Sequence, residues 1–209
     1  MNKMQYVLVL APHTDDGELG AGGFLSKLIA DGAFIDYVAF SNAAESLPTG
    51  LPKDTLNIEV KAALKRLGIN NIEILDYPVR NFNKFRQNIL DDLIGIRAKR
   101  KYDLVLLPST SDVHQDHQII SQEGIRAFKH TSILGYELVW NSFDFKNQFY
   151  VKLDEFDILN KINALSEYKS QSHRAYMSEE FVRSLAYTRG LQVNHKYAEC
   201  FEVVRWVIN

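Results

Sequence analysis

Tyr6-Val7-Leu8-Val9-Leu10-Ala11-Pro12-His13-Thr14-Asp15-Asp16-Gly17-Glu18-Leu19-Gly20-Ala21-Gly22-Gly23 changes character twice within one short stretch. The apolar run from Tyr6 to Leu10 reads as a strand buried on both faces. The polar cluster that follows turns the chain into Glu18–Ala30, a helical pattern whose glycines allow close packing on a sheet. The succession recurs downstream. Leu104-Val105-Leu106-Leu107-Pro108 leads through a short polar loop to His114-Gln115-Asp116-His117 and a second helical pattern, His117–Phe128.

Further strands are predicted at Ile35–Phe40, Ile72–Leu75 and Ile133–Val139, and further helices at Asn57–Leu67 and Asn88–Lys99. Strands alternating with helices imply an α/β fold, with a mostly parallel central sheet covered on both faces. Glu155–Tyr168 and Glu179–Tyr187 read as helices, and Ala198–Val207 as a closing strand. Two segments rich in turn residues, Asn42–Asp54 and Tyr77–Lys84, are expected to overhang the carboxyl ends of the strands. No repeat or linker divides residues 1–209, so a single domain is expected.

The chain has 209 residues, 46% hydrophobic and 24% charged, with a formal net charge of −2. That balance is ordinary for a globular protein and offers no footprint for nucleic acid or an anionic membrane surface. The apolar segments are too short for a signal peptide or a transmembrane helix, so a cytoplasmic location is expected. The lone Cys200 excludes an intramolecular disulfide and reads as a core residue.

The two polar clusters together supply three histidines and three aspartates. Catalytic zinc sites use three protein ligands and leave a position open, and imidazole and carboxylate suit that metal. Fe2+, Mn2+ or Co2+ fit the same donors. His13 and Asp16, three residues apart on a turn into a helix, can converge on one point, and His117 can join them from the next strand's loop. Asp15 is left as a general base, and His114 as an oxyanion stabiliser or an acid toward a leaving amine. Asp116 would orient His114 and keep it charged. The plainer alternative is that Asp15, Asp16 and Asp116 merely cap helices. A dinucleotide site on Gly17–Gly23 fails on spacing, because G-x-G-x-x-G from Gly20 would need glycine where Leu25 stands. Arg80 is a candidate for a substrate carboxylate or phosphate. Tyr168, Gln171, His173, His195 and Glu199 receive no role, and Trp140 and Trp206 read as core or subunit-contact residues.

Ala11–Gly23 and His114–His117 resemble the two signature motifs of the LmbE-like, or PIG-L, deacetylase family. Lys161-Ile162-Asn163-Ala164 with Tyr168-Lys169-Ser170-Gln171 is similar to that family's late helix. Arg189-Gly190 followed by Tyr197-Ala198-Glu199-Cys200-Phe201 is similar to its closing strand. The resemblance implies a Rossmann-like three-layer sandwich, possible homo-oligomers, and zinc-dependent removal of an N-acetyl group from a small amino sugar. It implies zinc ligands at His13, Asp16 and His117, a base at Asp15, and His114 as acid partnered by Asp116. Thr14 replaces the family's usual proline. Ser41-Asn42-Ala43-Ala44-Glu45-Ser46 lacks the arginine-bearing segment of members that act on thiol precursors, which favours a nucleotide sugar or glycan precursor. The alternatives are an amidase for a larger acyl or thiol conjugate, and a non-catalytic sugar-binding protein of the same fold.

Overall fold

The computed structural model describes residues 4–208. The elements run β1 (Tyr6–Ala11), α1 (Asp16–Ala30), β2 (Phe34–Ala39), α2 (Thr55–Arg66), β3 (Asn71–Ile74), α3 (Arg86–Lys99) and β4 (Leu104–Pro108). They continue with α4 (Gln115–Ala127), β5 (Ser132–Tyr136), β6 (Phe149–Leu153), α5 (Glu155–Leu165), α6 (Glu179–Leu191) and β7 (Tyr197–Arg205).

All seven strands join one sheet in the order β3-β2-β1-β4-β5-β7-β6. The first five are parallel, and β7 pairs antiparallel with both β5 and β6. The strands alternate their side chains between two apolar layers. Val7, Val9 and Ala11 of β1 pack with α1, α2, α5 and α6, whereas Leu8 and Leu10 pack with α3 and α4. The expected three-layer α/β sandwich is therefore the observed one.

Chain order reverses direction across the sheet between β1 and β4, whose register pairs Val7 with Leu104 and Val9 with Leu106. Open α/β sheets bind ligands outside the carboxyl ends of the strands at such a switch point. Both polar clusters leave the sheet there.

Helix α1 has to lie close to the sheet for this to work. A Cβ on Gly20 would come within 2.3 Å of the Tyr136 ring, and one on Gly17 within 2.6 Å of Tyr37. The middle of the helix is tied to β7, where Glu199 accepts from the Gly23 and Phe24 backbone N–H groups at 2.9 and 2.7 Å. The buried Lys161 ammonium balances that carboxylate at 2.7 Å.

Several expectations shift. β6 is unpredicted, because Phe149-Tyr150-Val151-Lys152-Leu153 is short and only half-buried. β5 stops at Tyr136 rather than Val139, since the chain turns at Leu138–Asn141. α5 ends at Leu165 instead of Tyr168, and α6 runs on to Leu191.

Candidate functional site

The strand-to-helix turns after β1 and β4 set the site. His13 leaves the end of β1, and its backbone N–H donates to Asp16 Oδ2 at 2.8 Å. This bond folds the turn back so that both side chains face the same point. His117 lies one turn into α4, and its ring enters from the other side of the switch point. His13 Nδ1 and Asp16 Oδ2 are 3.1 Å apart, His13 Nδ1 and His117 Nε2 are 3.2 Å apart, and His117 Nε2 and Asp16 Oδ2 are 3.3 Å apart.

Carboxylates hold the outward nitrogens of both rings. Asp112 Oδ2 takes His117 Nδ1 at 2.8 Å, and Asp116 Oδ2 takes His13 Nε2 at 3.2 Å. These partners set the tautomers, so the lone pairs of His13 Nδ1 and His117 Nε2 point at each other and at Asp16. Three acceptors that converge in this way repel unless positive charge lies among them. The titration of the rings expresses that demand. Burial alone would depress His13, but Asp16 and Asp116 outweigh it and raise its pKa to about 9. Burial likewise opposes charge on His117, yet Asp16 and Asp112 raise it to about 10.

The triangle also fits a metal. Zinc bonds of about 2.0–2.2 Å in tetrahedral geometry place ligand atoms about 3.3–3.5 Å apart. The three edges, 3.1, 3.2 and 3.3 Å, lie at or just under the lower end of that range. The imidazoles of His13, His114 and His117 also form a compact cluster, with one nitrogen from each within 4.8 Å of the others.

The remaining candidates take distinct places. Asp15 sits at the N-cap position of α1 but caps no helix N–H, and it lines the cavity beside the triangle. Burial and the neighbouring Asp16 charge push its pKa up to about 6. Asp116 departs from expectation. It does not orient His114, because its carboxylate is turned to His13 and to the backbone N–H groups of Arg80 and Phe82. Its backbone N–H instead donates to His114 Nδ1 at 3.2 Å. His114 is thus neutral with its hydrogen on Nε2. Burial and the two other imidazoles lower its pKa to about 4, which leaves it uncharged near neutrality.

The surrounding cavity has a volume of about 330 Å3, near the lower end of the roughly 300–1,000 Å3 usual for small-molecule sites. Both turn-rich segments reach it, through Ala43 and Ser46 and through Val79 and Arg80. Arg80 holds a left-handed backbone (φ 64°), pinned by Asp116 on its N–H and by the Gln115 side chain on its carbonyl. Below the site, Tyr168 donates to Thr14 O at 2.8 Å and contacts Glu18 at 2.6 Å, and Tyr37 contacts the same two groups. Tyr168 is therefore a buried support for the turn. Gln171 lines the cavity, whereas His173 and His195 are exposed and take no part in it.

Three contributors escaped the sequence reading. Asp112 looked like part of a polar loop, although an aspartate just past a buried strand and two residues before His114 was an available signal. Arg174 and Tyr176 come from a polar stretch without periodicity. Trp140, expected in the core or at a subunit contact, lines the cavity with them.

A doubly wound α/β protein with a carboxylate-backed imidazole site at its switch point is the class that these features define. Residues 8–128 match the family model described as "PIG-L: GlcNAc-PI de-N-acetylase", and the chain belongs to that family. It is 22% identical to the diacetylchitobiose deacetylase of Thermococcus kodakarensis, across 95% of this chain and 82% of that protein. It is 27% identical to the uncharacterized deacetylase YaiS of Escherichia coli, across 81% of this chain and 93% of that one. Among solved structures, the 4-carboxy-2-hydroxymuconate hydratase GalB of Pseudomonas putida superposes with a TM-score of 0.80 at 18% identity, covering 99% and 98% of the two chains. The fold alone therefore does not choose the chemistry.

Proposed function

We propose that this protein is a metal-dependent hydrolase that removes the N-acetyl group of an amino sugar or amino-sugar conjugate. The observation that carries the reading is the triangle of acceptor atoms at 3.1, 3.2 and 3.3 Å with Asp15 and His114 beside it. Family membership and the likeness to a diacetylchitobiose deacetylase support the choice of substrate class.

His13 Nδ1, Asp16 Oδ2 and His117 Nε2 would hold the cation, and zinc suits two imidazoles and a carboxylate. A bound divalent ion supplies Lewis acidity toward a carbonyl and lowers the pKa of water. Asp112 and Asp116 fix the two ligand rings through their outward nitrogens, as outer carboxylates do in zinc sites. Asp15 takes the proton of the attacking water and passes it to the departing amine nitrogen. His114, with Nδ1 occupied by a backbone N–H, offers Nε2–H to the developing oxyanion. It acts as a neutral donor, so Asp15 alone carries the proton.

The test is a panel of N-acetylated sugars and nucleotide sugars, assayed for acetate and free amine with and without added zinc. Zinc-dependent acetate release, lost in Asp15→Asn while bound metal is retained, is the expected result. Release of a larger acid from acyl or thiol conjugates, with no acetate from any sugar, would refute the assignment.

A further inference from the structure

Arg174 has no evident task in binding a cation or in moving a proton, yet it lines the same cavity as His114 and Asp15. Two backbone hydrogen bonds hold its main chain, one to Gln171 O and one from the Met177 N–H, each at 3.0 Å. Its Nη1 donates to Tyr176 OH at 2.5 Å, the one side-chain hydrogen bond it makes among the described residues. Its Nε is buried and donates to no protein atom. The Tyr176 ring in turn stacks on Trp140, with centroids 4.0 Å apart and planes 12° from parallel. One side of the cavity is thus an aromatic pair edged by a guanidinium, and Arg80 stands elsewhere on the lining.

A half-buried guanidinium without a carboxylate partner is expensive, and its planar fork matches carboxylate and phosphate oxygens. Asp15 acts on it through charge, but no Asp15–Arg174 hydrogen bond is formed among the described residues. The acidic groups lining the cavity, Asp15 and Asp16, belong to the turn between β1 and α1, and the Arg174 guanidinium is where an anion carried by the substrate would be favoured. We propose that Arg174 is a specificity-determining residue that binds an anionic substituent of the substrate, a carboxylate or a phosphate ester, while Trp140 and Tyr176 border the sugar. This rests on the deacetylase reading above and narrows its substrate to anionic amino sugars.

The zinc-loaded protein is assayed with N-acetylglucosamine, its 1-phosphate, its 6-phosphate and N-acetylmuramate, and binding of each is measured by calorimetry. At least one anionic compound should exceed the neutral sugar in kcat/KM by about 10- to 100-fold, the worth of a hydrogen bond to a charged group. The phosphate and carboxylate arms distinguish the two sources of the anion. In Arg174→Gln that ratio should fall toward one, mainly through KM, and Arg174→Lys should restore part of it. A ratio unchanged in Arg174→Gln, or neutral sugar preferred by the unaltered protein, overturns the proposal. If neither these compounds nor the nucleotide sugars of the wider panel lose acetate, the deacetylase reading fails. Calorimetry then decides the role of Arg174: tighter binding of the anionic compounds that is lost in Arg174→Gln supports it, and equal binding of charged and neutral sugars overturns it.

Discussion

Replacing Asp112 by asparagine tests how the site is held together, because this carboxylate serves two groups at once. Its Oδ2 takes His117 Nδ1–H at 2.8 Å, and its Oδ1 takes the His114 backbone N–H at 2.8 Å. The side chain is fully buried, so water cannot substitute for either oxygen. Asparagine offers a single acceptor. Whichever way the amide turns, its NH2 faces one of the two N–H donors, and a buried donor left unsatisfied costs about 1–3 kcal/mol. If the amide keeps His114, the His117 ring loses the partner that aims its Nε2 at Asp16 and His13. Losing such an outer carboxylate lowers metal affinity by about 10- to 100-fold, or about 1.4–2.8 kcal/mol. Competition with a chromophoric chelator measures the zinc affinity, and urea unfolding of the metal-free protein measures the structural part. Asp112→Asn should weaken zinc by at least tenfold, lower the unfolding midpoint, and leave the far-ultraviolet dichroism native. Unchanged affinity together with an unchanged midpoint would refute the role given to Asp112.

Two further substitutions probe the scaffold. Gly20→Ala places a methyl 2.3 Å from the Tyr136 ring. It should cost about 1–3 kcal/mol through forced repacking, read as a lower thermal midpoint; a neutral effect would show that α1 can lift from the sheet. Glu199→Gln removes the counter-charge of buried Lys161 and one of the acceptors for the Gly23 and Phe24 N–H groups. Breaking a buried pair on one side costs about 3–5 kcal/mol, so the guanidinium midpoint should drop sharply, and Glu199→Gln with Lys161→Met should recover part of the loss.

The sequence made the parallel half of the sheet legible, because β1 and β4 are short, mainly aliphatic runs buried on both faces and followed by turn chemistry, and β2 is a largely apolar run broken only by Asp36. The edge was less so. β6 carries Lys152 on a half-exposed strand, and its pairing with β7 depends on partners nearly fifty residues away. At the site, His13, Asp16 and His117 could be grouped in advance because they follow buried strands that an open α/β sheet places side by side. The role of Asp116 could not, since residue spacing does not say which way a carboxylate turns. It is drawn to the backbone N–H groups of Arg80 and Phe82, and this takes it from His114 and gives it to His13. Glu199 needed the tertiary structure as well. Its charge is explained by two helix N–H groups more than 170 residues earlier in the chain.

The central claim is that His13 Nδ1, Asp16 Oδ2 and His117 Nε2 share one divalent cation. Anomalous diffraction at the zinc edge from zinc-soaked crystals tests it directly. A single strong peak about 2.0–2.2 Å from all three atoms is the predicted result. A site with no anomalous peak at saturating zinc, or a peak bound through the His13 nitrogen that faces Asp116, would contradict the account.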